Sequence, residues 1–309
     1  MSKTSLSRLW IGGYGPEESA HGRGLATFRD IVEMETDGEV SVEITWNIME
    51  DSRPMTDLLG LVESGEMFFC YFSSSYLGDR VPALNVLETP FLFTDLDHAH
   101  RALDGALGER LAHEVRSTTP FDVIGFWDNG FRHLTNHKRP VHTPADCAGM
   151  TVRVQPNAVH EELIRSWGAE PVAVELSDGI RLITDLEVDA QENPLANIIA
   201  YGVEQVHGHV TMSGHLYGAR GLWANRETME SLPGDLRDVV MHAGSSAIDV
   251  QRGEAAAREI DYRARMERRG IEFVDLDADE TAEFRRASAP AIDLARRASP
   301  ADLFDLVGT

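Results

Sequence analysis

The chain has 309 residues, 42% hydrophobic and 26% charged, enough for a large core in one big or two medium domains. Its formal net charge of −23 argues against a nucleic-acid partner and against an anionic membrane surface, both of which call for a basic face. No run approaches the roughly 18 apolar residues of a membrane-spanning helix, so direct membrane insertion is not expected.

The first ten residues are polar and show no secretory signal. Leu9 to Gly12 reads as a strand. Leu25, Phe28, Ile31 and Val32 then recur at helical spacing, closed by Asp37-Gly38. Val40 to Thr45 alternates as a half-buried strand does. A helix over 55–64 ends at Gly65 and leads into a buried strand over 67–72. Leu103, Leu107 and Leu111 fall in register, which predicts one helix from Ala99 to Thr118. A buried strand over 121–127 follows, then a strand at 151–155, a helix at 157–167, a strand near 171–174 and a helix over 177–186. Such alternation predicts an α/β fold with largely parallel sheets.

Past Pro233 the helical pattern persists to Gly270 with no internal proline, a length of roughly 50 Å. A strand at 271–274 and a last helix at 279–297 complete the chain. One helix too long for a small lobe suggests two α/β lobes, 1–128 plus 214–250 and 129–213 plus 251–309. The crossings are expected near Asn129, near 213–217 and within the long helix, which would brace both lobes.

Three polar residues stand at predicted strand ends in apolar surroundings. In Thr151-Val152-Arg153-Val154-Gln155 the alternation sets Arg153 opposite the two valines, near a strand's carboxyl end. A buried guanidinium needs an acceptor, and alone Arg153 reads as half of a structural ion pair. Arg132 follows Asn129-Gly130-Phe131 and alone is an ordinary loop arginine. Asn193 precedes Pro194 and could donate to a carboxylate, or simply turn the chain. Ser74, within Ser73-Ser74-Ser75, could offer a hydroxyl to a ligand or mark a polar strand exit.

Catalytic patterns are scarce. Gly22-Arg23-Gly24 does not complete a dinucleotide fingerprint, and no P-loop or nucleophile elbow appears. His160-Glu161-Glu162 lacks the second histidine of a zincin, while His133, His137 and His142 read as a polar loop. Lys3 and Lys138 are the only lysines, which leaves few Schiff-base candidates. Cys70 lies in an apolar run and Cys147 in a polar turn, which does not fix a redox compartment. No cofactor or metal is expected.

Several segments, in this order and spacing, resemble the extracytoplasmic solute-binding subunit of tripartite ATP-independent periplasmic (TRAP) transporters, of the dicarboxylate-binding type. They are Pro90-Phe91-Leu92-Phe93, Phe126 to Asn136, Thr143-Pro144-Ala145-Asp146 with Gly149, the Arg153 strand, Gln191-Glu192-Asn193-Pro194, and Ser213 to Tyr217. The resemblance runs from about Gly12 to Asp275. It implies a two-lobed periplasmic-binding-protein-like fold that closes about a hinge, a periplasmic location, an organic acid anion as ligand and a membrane permease as partner. It also implies that Arg153 pairs with the solute carboxylate and that Arg132 and Asn193 line the site; Ser74, His215 and Tyr217 are further candidates from their own positions. A planar guanidinium fork suits a carboxylate, particularly in a dry site. A loss of binding near neutral pH would instead implicate a histidine, His215.

Departures from that family bear on the solute. Leu176 replaces an aromatic that often stacks on it, Ile180 replaces a tyrosine, and Arg220 occupies a further aromatic position. These changes favour a short aliphatic acid with a second polar or anionic group over an aromatic acid. The alternatives are an enzyme acting on a small carboxylate, with Glu192 or Asp128 as base, and a leaderless cytoplasmic sensor on the same scaffold.

Overall fold

The computed structural model describes residues 7–308. Residues 1–6, Lys3 among them, and residue 309 lie outside the described residues, at the ends of the predicted lobe ranges. The fold is α/β. Its strands are β1 (Arg8–Gly12), β2 (Ser41–Thr45), β3 (Phe69–Ser73), β4 (Phe121–Asn136), β5 (Thr151–Val154), β6 (Glu170–Ala173), β7 (Ala190–Asn193), β8 (His209–Asn225) and β9 (Glu272–Val274). The chain divides into two compact units, Met1–Phe72 with Gly108–Asp128 and Arg220–Ala256, and Ser73–Leu107 with Asn129–Ala219 and Ala257–Thr309.

This division differs from the predicted lobes. Residues 73–107, expected with the first lobe, belong to the second unit, and the later boundaries fall at 219/220 and 256/257. Polar contacts hold that segment there. Ser75 Oγ donates to Gln155 Oε1 at 3.0 Å, and Asn157 Nδ2 donates to Ser75 O at 3.2 Å and to Asn85 Oδ1 at 3.3 Å. Strand pairing also follows one path, β2-β1-β3-β8-β4-β7-β5-β6 with β9 on β8, rather than two separate sheets. The reason is the length of β4 and β8, 16 and 17 residues, each of which contributes to both units.

In the first unit β1 pairs in parallel with β2 and β3, with Ile11 opposite Ile44 and Phe69. The helix Ala20–Glu35 buries Leu25, Phe28 and Val32, and Ser19 caps it by accepting from Gly22 N. Phe28 meets Phe69 edge to face at 4.8 Å between centroids. The long helix runs Gly234–Arg268, 35 residues, and continues past the boundary at 256/257. At 1.5 Å per residue it is about 52 Å long.

In the second unit β5 lies between β6 and β7, parallel to both, while β4 pairs antiparallel with β7. Trp167 anchors its core, donating from Nε1 to Ser288 Oγ at 3.0 Å and meeting Phe284 edge-on.

Three predicted elements change form. The helix expected over 99–118 is two, Leu96–Asp104 and Ala106–Thr118. Gly105 between them is extended, at φ −106° and ψ −151°, and a Cβ there would lie 2.8 Å from the Arg101 carbonyl oxygen. The last helix is also two, Ala278–Ala287 and Ala289–Ala298, because Pro290 suits a helix start and not a helix interior. The strand expected to stop at 127 continues to Asn136, with Gly130 at φ +100° in its course, a conformation that favours glycine. Arg132 and His133 are therefore strand residues, not loop residues.

Candidate functional site

The site candidates of the second unit sit on adjacent strands. Antiparallel register sets His133 opposite Asn193 and Leu134 opposite Glu192; parallel register sets Gln191 beside Arg153. Arg132, the segment Gln191-Glu192-Asn193, and Arg153 thus occupy β4, β7 and β5 in order.

Arg132 and Arg153 are both 1% exposed, but their surroundings are opposite in kind. Arg132 forms a bidentate pair with Glu192. Its Nε donates to Oε2, and its Nη2 donates to Oε1 at 2.8 Å and to the Glu192 carbonyl at 2.7 Å. The ion-pair reading considered for Arg153 belongs instead to Arg132. Arg153 donates from Nη2 to the carbonyl of Val174 at 2.9 Å, and its Nε has no hydrogen-bond partner. Among the described residues no carboxylate forms an ion pair with it, although it is as buried as Arg132. Beside it stands Tyr76, whose phenol is pushed up to about 12, chiefly by burial, with the Arg153 charge opposing. Leu176 is buried as the first residue of the helix Leu176–Thr184, which begins just past Val174.

Asn193 is held from both ends. Its Nδ2 donates to Gln191 Oε1, and its Oδ1 accepts from Asn197 Nδ2 at 3.1 Å. Gln191 Nε2 donates to Thr135 Oγ1 at 2.7 Å, so the amide is fixed by neighbours on β7, β4 and the following helix.

Glu192 is also the centre of a buried network that the sequence did not suggest. His160 Nε2 is 2.7 Å from Glu88 Oε2, and its Nδ1 is 3.7 Å from Glu192 Oε1. His215 Nε2 is 3.4 Å from Glu192 Oε2, and its Nδ1 shares a hydrogen with Ser213 Oγ at 2.8 Å. Ser74 Oγ donates to Glu88 Oε1 at 3.0 Å and lies 3.2 Å from the Ala219 carbonyl, so the hydroxyl is engaged within the protein. Two carboxylates, one guanidinium and two imidazoles thus face one another away from solvent. Burial opposes ionisation of Glu192, but Arg132, His160 and His215 hold its carboxyl well below the usual carboxylate range. Burial likewise opposes the charge on His160, yet Glu192 and Glu88 outweigh it and raise its pKa. Burial lowers the pKa of His215, and Glu192 offsets this only in part.

His160 has a consequence for stability. Its folded pKa lies above that of the unfolded chain, about 6.5. Its contribution is therefore full below about 6.5 and is lost as the pH rises through the folded value. The urea midpoint of the wild type should fall across that rise more than the midpoint of His160→Gln does. Parallel profiles for the two proteins would show that His160 carries no such charge.

Tyr217, on β8, meets Phe131 and Phe93 edge-on at 5.7 and 5.5 Å. Arg220 belongs to the first unit. It lies over the rings of Tyr14 and Tyr71 at 4.8 and 5.5 Å and is 3.0 Å from His21 Nε2, a buried and aromatic setting rather than a solvent-facing one. Burial and then the Arg220 charge push the His21 pKa well down. Cys70 and Cys147 are both buried free thiols. Among the described residues no group of three or more His, Cys, Asp or Glu side chains is placed to hold a metal ion, and no helix is long and apolar enough to cross a membrane.

Residues 11–297 match the family described as bacterial extracellular solute-binding protein, family 7. A solute-binding protein of Verminephrobacter eiseniae is 30% identical over 279 residues, covering 89% of this chain and 80% of that protein. A TRAP periplasmic solute-binding protein of Polaromonas, solved bound to D-erythronate, superposes with a TM-score of 0.90 at 27% identity, covering 98% of both chains. A TRAP periplasmic solute-binding protein of Sulfurospirillum deleyianum, solved with succinate, gives a TM-score of 0.90 at 25% identity, covering 98% of this chain and 99% of that one. With the family matched from residue 11 to residue 297, this chain belongs to the bacterial extracellular solute-binding proteins of family 7.

Proposed function

We propose that this protein captures a small organic acid anion outside the cytoplasm and delivers it to a TRAP-type membrane permease, without catalysis. The observation that carries this reading is the state of Arg153. A buried guanidinium with a neutral carbonyl as acceptor and an unpartnered Nε lacks a counter-charge. An unpaired buried charge is costly, and a carboxylate supplies both the charge and a planar two-point acceptor. Arg132 cannot play the same part, because Glu192 already occupies its fork. We read Arg132 as a frame for β7 that holds Asn193 at the site, with Leu176 as an apolar wall and His215 and Ser74 as supports. Tyr217 remains a proposed lining residue.

Family membership supports this function, as do relatives solved with D-erythronate and with succinate, both short aliphatic acids. A catalytic reading with Glu192 as base finds no support. Its carboxyl is locked in an ion pair and held well below the usual range, the reverse of what a general base near neutral pH requires.

A thermal-shift panel of D-erythronate, succinate and benzoate tests the reading. A ligand bound only by the folded state at a hundred times its Kd stabilises by about 2.7 kcal/mol. An aliphatic acid should raise Tm and benzoate should not, since Leu176 offers no ring to stack on. A clear preference for benzoate would overturn the specificity, and no shift with any carboxylate in a wider library would overturn the function.

A further inference from the structure

We propose that Gly179 is a positioning residue for the anion anchor: its missing side chain is the space in which the Arg153 guanidinium lies. The inference rests on the reading of Arg153 given above. A Cβ built at position 179 would lie 2.4 Å from Arg153 Nε, 3.0 Å from Cζ and 3.1 Å from Cδ, and these three Arg153 atoms are its nearest neighbours. Nothing else at this position calls for glycine. Gly179 lies inside the helix Leu176–Thr184, and its N–H donates to Glu175 O at 2.9 Å in the ordinary helical pattern. Its φ is not among the positive values that favour glycine. A glycine inside a helix is destabilising relative to alanine, so the helix on its own would prefer a side chain here.

The same geometry makes the position selective for function over folding. The atoms in the way are the far end of a flexible side chain, not backbone. A methyl group at 179 can be accommodated if the guanidinium moves. Movement breaks its bond to the Val174 carbonyl and takes the fork out of register with a carboxylate. Well-aligned paired hydrogen bonds tolerate little displacement.

The test uses the full chain and three variants, Gly179→Ala, Arg153→Lys and the double variant, titrated with D-erythronate and succinate by calorimetry. Gly179→Ala should weaken binding by about tenfold or more. Its Tm should stay level or rise, because alanine favours the helix. In the Arg153→Lys background, Gly179→Ala should cost little further affinity, because both changes act through one group. Wild-type affinity in Gly179→Ala, with Arg153→Lys impaired, would overturn the role of Gly179 alone. Wild-type affinity in Arg153→Lys would overturn the anchor reading itself. A crystal structure of Gly179→Ala gives an answer that needs neither acid: a guanidinium still bonded to the Val174 carbonyl in its present place overturns the inference, and a displaced one supports it.

Discussion

Replacing Arg153 with lysine should weaken organic-acid binding by roughly a hundredfold, about 3 kcal/mol, while leaving the protein folded. The magnitude follows from the geometry. Arg153 is buried to 1% exposure, forms no ion pair with a protein carboxylate among the described residues, and has an unpartnered Nε. An ammonium keeps the charge but has no planar fork, so the second, parallel hydrogen bond to a carboxylate is lost. Isothermal titration with the acid that gives the largest thermal shift measures the effect. Stability should change little, because among the described residues Arg153 forms no ion pair with a carboxylate and its Nη2 donates to the neutral Val174 carbonyl. Unchanged affinity in Arg153→Lys would remove Arg153 from the site.

Arg132→Ala should behave in the opposite way and lower global stability, by about 3–5 kcal/mol. The removed guanidinium makes three hydrogen bonds to Glu192, and that carboxylate is 1% exposed. Without Arg132, the buried acids Glu192 and Glu88 would face the imidazoles of His160 and His215 with no guanidinium among them. The folded state could then keep Glu192 only by protonating it, which shifts its titration upward. Urea unfolding monitored by circular dichroism would show the loss. The double variant Arg132→Met with Glu192→Met should recover part of it, since an apolar pair leaves no uncompensated charge. If Arg132→Ala leaves the urea midpoint in place and only binding suffers, Arg132 is a ligand contact and not a frame.

The contrast between these two arginines was not legible in the sequence. By sequence Arg132 reads as a loop arginine and Arg153 as half of a structural ion pair. Register decides otherwise. Leu134 pairs with Glu192, so Arg132, two residues before Leu134, can reach along β7 to that acid, while Arg153 pairs with Gln191 and turns toward the Val174 carbonyl. Glu192 lies buried in β7, and a buried acid calls for a cation. Nothing local indicated which cation. The partners His160 and Glu88 are 72 residues apart in the chain, and no periodicity links them.

Elements with strong local signals are readable from the residues alone. The alternation at 41–45, the long helix after Pro233 and the succession of strands and helices around Arg153 all fall where periodicity and turn residues place them, because those signals arise within one or two turns of chain. The order of motifs likewise pointed to the family and to an anion anchor. The tertiary structure alone decided which unit holds residues 73–107, whether β4 runs on through Gly130, and which arginine keeps its fork free. Each of these depends on contacts between residues far apart in sequence, where burial sets the value of a charge and register sets its partner. The space beside Gly179 is of the same kind: a missing methyl group takes its meaning only from the guanidinium that a neighbouring strand brings against it.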